Sequence, residues 1–515
     1  MEDDTFELEA PTVEPGYDEE AGAPAPHVRA VPEPVRKFVV LFHKYFIQKN
    51  VDKITGIYHY TFSKLTDRFF KDSTWPSEET IAPLVNNDKV FLLMYKELYF
   101  RHIYSKREQP SLNARFESWH NYRQLFDYVL ALEDEAELGL PLQWLWDMVD
   151  EFLFQFQSYS QNRCKLANKS ANDLALFKEH PDVWSVTSVV TYLEALSTKG
   201  KVVELLAAQN ADSKPPQAQQ YTLGQALGYF ALVGLSRVHC LLGDYHSALR
   251  ALEPIDLTRR GLYTRVTACH VVGSILTYMT RTKQYHTRSY QYDQMMKKNE
   301  QLYYLLALAG ALAPQGTGPL GNDTVEQALH EKCGDKLIRI NRGELAAYED
   351  MFNKACPKFI HPSPPSPDAA PNASAAQTDE AAAASLPHDY HQEPRRLQAR
   401  VFMQEVEEQA PLGTLRSFLR LYTTISIPKL AGFLDADVAT VRAQLMCYKH
   451  KTAHAPHLGP RLPDSATPHD VTFHIQGDMV HVVDAKQARR YTDYFLRHIH
   501  KFDSIHSRLL THQQQ

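Results

Sequence analysis

Four groups of residues have the types and spacing that chemistry uses. Gly316-Thr317-Gly318-Pro319-Leu320-Gly321 is glycine-rich, as a phosphate-cradling loop is, but the lysine of such a loop is missing and turn residues flank it. It reads as a plain loop. His330 and Cys333 stand at i,i+3, a spacing that can put two ligands on one helix face. A zinc site needs a third and fourth ligand, and none accompanies them. His498 and His500 are two apart, so a helix turns them to different sides. Asp147, Asp150 and Glu151 lie beside Trp144 and Trp146, where a carboxylate pair can look catalytic. Here they read as the polar face of an aromatic-rich helix. There is no HExxH and no nucleophile–base pair, so the residues suggest no enzyme, metal, cofactor or small-molecule substrate.

The elements that would position any site come from composition and pattern. With 515 residues, 44% of them hydrophobic and 11% aromatic, more than one core is expected. The net charge is −6 and unevenly placed. Residues 1–35 hold ten acids against one base, Arg29, whereas from Leu412 onward 13 Lys/Arg face 8 Asp/Glu. A mildly basic module permits contact with RNA, but it is far from the footprint of a dedicated nucleic-acid binder. The six cysteines (Cys164, Cys240, Cys269, Cys333, Cys356, Cys447) are scattered and form no CxxC. They read as buried thiols of a reducing, cytoplasmic setting. The acidic start has no apolar run of the kind a signal peptide carries. Leu142–Phe156, taken as the most apolar long helix, carries Asp147, Asp150 and Glu151, which argues against a membrane span.

Residues 1–33 are rich in Glu, Asp, Pro and Ala and read as a disordered acidic tail. From Pro34 to about 360 the pattern is helical throughout. Val35, Phe38, Val39, Phe42, Tyr45 and Phe46 make the first stripe, and helices are predicted at Asp88–Ser105, Ser111–Glu133, Pro141–Arg163, Val183–Ser197 and Gln219–Leu242. Short connections make antiparallel neighbours, and stacked hairpins make a solenoid. Gly243-Asp244-Tyr245 followed by Ala248 matches the turn and close contact of a tetratricopeptide-like repeat, with a degenerate second copy at Arg281–Tyr290. Residues 361–386 are a Pro/Ala-rich insert, read as disordered.

Residues 387–484 end in the element order of a winged helix. Leu415, Phe418, Leu419 and Tyr422, then Leu430, Phe433 and Leu434, then Val438, Val441 and Leu445 give three helix faces to a shared core. Ser426 and Asp437 stand where N-caps belong, and Pro428 falls in a first turn. Val471, Phe473 and Ile475 alternate, as do Val480 and Val482, on either side of Gln476-Gly477-Asp478, which predicts a hairpin. The third helix would be the reading helix of a DNA binder. It exposes Arg442, Gln444 and Lys449 among Ala439, Thr440 and Ala443, behind Asp435 and Asp437. Base reading wants Arg, Asn or Gln at the helix front, and this front is acidic and small. The run Lys449, His450, Lys451 and Arg461 permits a weak RNA contact. Residues 485–515 carry Tyr491, Phe495, Ile499, Phe502 and Leu509 at steps of three and four, an amphipathic helix of about seven turns.

A helical solenoid that ends in a winged helix and a long helix resembles the PCI-domain family. Within it, MYKELYFRHIYS (94–105), RFESWHNYRQLFDYVL (115–130), LPLQWLWDMVDEFLFQFQSYSQNRCK (140–165), GLSRVHCLLGDYHSAL (234–249), RSFLRLYTTISIPKLAGFLD (416–435) and ARRYTDYFLRHIHKF (488–502) resemble the subunit L family of eukaryotic translation initiation factor 3. The likeness runs from about Phe38 to Phe502. The resemblance implies a mainly α chain and a non-catalytic scaffold in a complex that binds the small ribosomal subunit and helps assemble 43S and 48S preinitiation complexes. Subunits K and E are its implied neighbours. Winged helices of this family join edge to edge, and tail helices gather in a bundle. In this sequence the edge role falls to the hairpin of Val471, Phe473, Ile475, Val480 and Val482. The bundle role falls to Tyr491, Phe495, Ile499, Phe502 and Leu509. Two other readings stay open: a PCI subunit of the proteasome lid or signalosome, and a winged-helix nucleic-acid binder.

Overall fold

The computed structural model describes residues 31–106, 109–133, 138–166, 169–211, 221–255, 290–312, 323–363, 365, 390–453 and 471–483, with single positions between 495 and 506. Among the described residues the chain is mainly helical with one small sheet, and it divides into two compact units, residues 1–152 and 153–515.

The first unit holds α1 (Glu33–Ile47), α2 (Val51–Gly56), a π-helical turn (Ile57–Thr61), α3 (Phe62–Phe69), α4 (Glu78–Ile81), α5 (Lys89–Ser105), α6 (Leu112–Ala131) and the first half of α7 (Leu142–Arg163). Asp88 and Ser111 cap α5 and α6, accepting from the backbone N–H groups of Val90 and Phe91 and of Ala114. Each cap satisfies donors that a helix start leaves open. Val35, Phe38, Val39 and Phe42 of α1 are buried as the spacing predicts, with Tyr45 and Phe46 half-buried at the rim. Aromatic rings dominate this core. Phe42 packs on Phe91 and Trp144, and Tyr58 stacks on Trp144 at 5.1 Å and 13°.

A polar network runs through that core. Glu97 is fully buried, and Trp144 Nε1 donates to its Oε2 at 2.9 Å. Arg101 pairs with the same carboxylate, donates to the Tyr58 hydroxyl, and lies 3.6 Å from Asp147. Tyr58 in turn donates to Asp147, which also accepts from Gln143 at 2.8 Å. Burial pushes the Tyr58 hydroxyl well above the usual phenol range, so it remains a donor. Asp147 is therefore not simply part of an outward polar face: it closes a network reaching α5 and the π-helical turn.

The second unit continues with α8 (Ala171–Glu179), α9 (Val186–Lys199), α10 (Val202–Ala211), α11 (Leu223–Leu242), α12 (Tyr245–Leu252), α13 (Tyr290–Leu312), α14 (Asp323–Asn341), α15 (Leu345–Ala355) and α16 (Glu393–Leu421). Ser170 with Asp173, and Thr222 with Gln225, close reciprocal capping boxes. α11, rather than α7, is the most apolar long helix. It is long and apolar enough to cross a membrane, but 72% of its apolar window is buried inside the protein, as in a core helix. Glycines let it be approached closely. A Cβ on Gly228 would meet Val202 Cγ2 at 2.6 Å and the Leu196 carbonyl at 2.9 Å. Gly243 ends α11 in the left-handed conformation (φ 82°), which glycine adopts without penalty. Asp244 then caps α12 through the Ser247 N–H, and Ala248 is buried. Tyr245, the third residue of this turn motif, is half-exposed and donates to Gln398 of α16. Residues 281–289 of the second expected repeat copy lie outside the described residues. Tyr303, Cys333, Met351 and Val406 join α13, α14, α15 and α16 in one core, with Phe352 and Phe402 stacked at 4.4 Å.

A helix–strand–helix–helix–hairpin module ends the second unit. It runs from the last turns of α16 through β1 (Thr424–Ser426), α17 (Ile427–Leu434) and α18 (Val438–Ala453) to β2 (Thr472–Gln476) and β3 (Met479–Val483). The sheet order is β1-β3-β2, antiparallel throughout, with Ile425 opposite Val480 and Ile475 opposite Val480 on the other side. Leu412, Leu415, Leu419, Leu430, Val441, Leu445 and Tyr448 are fully buried beneath it. Two members of the expected core face outward: Phe433 is 45% exposed and Val438 38%. The hairpin turn is the two residues Gly477-Asp478, shorter by one than the sequence suggests, with Gly477 at φ 60°. A positive φ at the first turn residue alone is the type II′ pattern, which glycine fills.

Candidate functional site

Three faces of the C-terminal module bear on function: the exposed side of α18, the edge of the sheet, and the tail beyond it. On α18, Asp437 accepts from the Ala439 N–H at 3.1 Å and its carbonyl from the Val441 N–H, so the predicted cap is in place. Ser426 holds the N-cap position of α17, but its side chain makes no capping bond. The Ile427 N–H instead donates to the Asp478 carbonyl at 2.8 Å, tying the helix start to the hairpin turn.

The basic side chains of α18 have partners within the chain. Arg442 donates to the Asp478 carboxylate at 2.5 Å and to the Gly477 carbonyl at 3.2 Å, clamping the hairpin turn onto the helix. Lys451 pairs with Glu405 at 2.9 Å and lies 3.9 Å from Glu408. The hydrogen bond from Lys451 holds the Glu405 carboxyl below its ordinary range. With Asp435 and Asp437 at its front, the helix offers few free cations to phosphates.

At the sheet, the side chains of Val471, Phe473 and Val480 are buried in the module's own core, and Ile475 and Val482 pack partly against it. Phe473 faces Tyr448 with ring centroids 6.2 Å apart. These side chains are therefore committed to the fold. Val480 and Val482 belong to the central strand, paired on both sides. The Val482 N–H donates to the Thr423 carbonyl at 2.7 Å, so it points away from β2. By the alternation of an antiparallel ladder, its partner Phe473, and Ile475 two residues on, turn their backbone groups outward along β2. What this hairpin can offer a second chain is the backbone edge of β2.

In the tail, Phe495, Ile499 and Phe502 are helical, and 59%, 54% and 67% exposed. Tyr491 and Leu509 lie outside the described residues, as does the glycine-rich run 316–321. His330 is exposed while Cys333 is buried in the helical core, so the pair does not share a face. Burial pushes the Cys333 thiol up. Among the described residues no group of three His, Cys, Asp or Glu could hold a metal ion.

Sequence reasoning missed the Arg442–Asp478 clamp, strand β1 and Tyr448. The clamp joins residues 36 apart across a polar loop, and only tertiary structure brings them together. β1 has three residues, too few for alternation to register.

Known proteins resemble this chain along most of its length. The family model described as RNA polymerase I-associated factor PAF67 matches residues 114–274 and 271–502. A Nematostella vectensis protein named eukaryotic translation initiation factor 3 subunit L is 40% identical over 508 residues, covering 92% of each chain. Proteins of the same name from Xenopus tropicalis and Bos taurus are 38% identical over 532 and 535 residues, covering 93% of this chain and 91% of theirs.

Proposed function

The chain belongs to the subunit L family of eukaryotic translation initiation factor 3, and from that premise we propose that it is a non-catalytic scaffold of that factor. It works in the cytoplasm, beside subunits such as K and E, and helps assemble 43S and 48S preinitiation complexes on the small ribosomal subunit. Residues 34–360 form a helical-repeat body of tetratricopeptide-like type. Residues 387–484 end a PCI domain in a winged helix, and 485–515 form a bundle helix. The exposure of Phe495, Ile499 and Phe502 carries this reading. Three large apolar side chains at helical spacing, each more than half open to water, suit burial against partner helices. The β2 edge, with Phe473 and Ile475 presenting backbone groups, suits strand addition by a neighbouring subunit. Engagement of Arg442 and Lys451 within the chain favours protein contacts over nucleic-acid reading.

The test is co-purification. Phe495→Asp combined with Phe502→Asp is expected to reduce recovery of the other initiation factor 3 subunits with the tagged chain by at least about tenfold, since buried interface anchors are worth 2 kcal/mol or more each. Unchanged recovery would remove the bundle role.

A further inference from the structure

Away from the C-terminal module, a cavity of about 480 Å³ opens between α15 and the first turns of α16. Arg395, Arg396 and Arg400 line it together with Asn353, Gln392 and Met403, and among the described residues Glu349 supplies its one carboxylate. All three arginines are exposed. Arg395 is set in place by α15: its Nε and one terminal nitrogen donate to Asn353 Oδ1 at 3.1 and 3.0 Å. Arg396 has Glu393 at 4.0 Å. Arg400 makes no hydrogen bond or ion pair among the described residues. Arg396 and Arg400 stand at i,i+4, where like charges repel, so the fold itself gains nothing from the pair. The cluster also sits at the start of a 29-residue helix whose N-cap, Gln392, makes no side-chain capping bond. The positive end of the helix dipole adds to the arginine field there.

The lining discriminates between anionic partners. Single-stranded nucleic acid binds on aromatic platforms, and among the described residues no aromatic ring lines this cavity. The side-chain amides of Asn353 and Gln392 match a peptide backbone, and Met403 offers an adaptable apolar floor. Guanidinium forks take carboxylates in bidentate fashion. We propose that this groove docks an acidic peptide segment of a partner protein, with its carboxylates on Arg395 and Arg400. The proposal is independent of the bundle helix and the β2 edge, since its readout is peptide binding and not subunit recovery.

The experiment uses the full chain and a fluorescently labelled octaglutamate peptide, with binding followed by anisotropy. Saturable binding is expected. Arg400→Glu is expected to weaken it by at least about tenfold, the loss of a charge-assisted contact together with a reversed charge. Adding Arg395→Gln is expected to weaken it further, and oligouridylate is expected not to displace the peptide. Because Arg400 holds no partner among the described residues, its substitution leaves the fold intact, which an unchanged thermal melt confirms. Absence of saturable binding, or binding by Arg400→Glu within about twofold of the unsubstituted chain, would overturn the proposal. Displacement by oligouridylate at equal concentration would also overturn it, in favour of a phosphate-backbone site.

Discussion

Two arginine–carboxylate pairs stand in very different surroundings. In the first unit Arg101 meets Glu97, whose side chain is fully shielded from water, and Trp144, Tyr122 and Tyr58 complete the network. On the C-terminal module Arg442 meets Asp478 with side chains 48% and 70% exposed. The same chemistry has opposite consequences. A buried carboxylate is costly to desolvate and tolerable only when its lone pairs are taken up, so loss of any member strands the others. An exposed pair is screened by water and adds little to stability. What Arg442 contributes is position: it holds the hairpin turn against α18, and its charge is matched there by Asp478.

The largest effect should come from the buried pair. Glu97→Gln keeps the shape but leaves Arg101 with only the more distant Asp147, 3.6 Å away, as a charge partner, and a loss of about 3–5 kcal/mol in unfolding free energy is expected from urea titration. A change below about 1 kcal/mol would mean that water reaches the site.

A smaller effect should appear at alkaline pH. Burial, the leading cause, pushes the Tyr104 hydroxyl up to about 12. A folded-state pKa raised above the unfolded value stabilises the protein fully below the unfolded value, near pH 10. That contribution fades as pH rises toward 12. Urea midpoints measured at pH 9 and pH 11 should therefore fall, and Tyr104→Phe should flatten that part of the slope. An equal slope in the variant would assign the loss to other groups.

The smallest effect is expected at the exposed pair. Arg442→Ala should change stability by less than about 1 kcal/mol. It should quicken hydrogen exchange at the Ile427 amide, which bonds to the Asp478 carbonyl beside the clamp. A loss comparable with that of Glu97→Gln would erase the contrast between the two regions.

Much of the fold is legible in the sequence. The helix starts at Asp88 and Ser111 are legible because caps and breakers act locally, whereas the helix expected from Gln219 begins only after its cap, Thr222. The hairpin was legible because alternation on both sides of a glycine has few other meanings. Glu97 was not. In MYKELYFRHIYS it has the look of a solvent-facing acid, and only Trp144 and Tyr122, 47 and 25 residues away, give it a buried place. Phe433 and Val438 have core spacing, yet it is Leu430 with Ala431, and Val441 with Leu445, that these helices bury in the core. Of the candidate site, the apolar positions were legible from spacing. Which of them the chain keeps for its own core was not. Val471, Phe473 and Val480 are sealed inside, whereas Phe495, Ile499 and Phe502 are open to water. Spacing marks a face but not what covers it.

That difference between sealed and open apolar residues is what the proposed scaffold role rests on. Affinity purification of the full-length tagged chain from cells, followed by mass spectrometry, tests it most directly. The account predicts that the other subunits of initiation factor 3 and small-subunit ribosomal proteins are recovered with the chain. Their absence would contradict it.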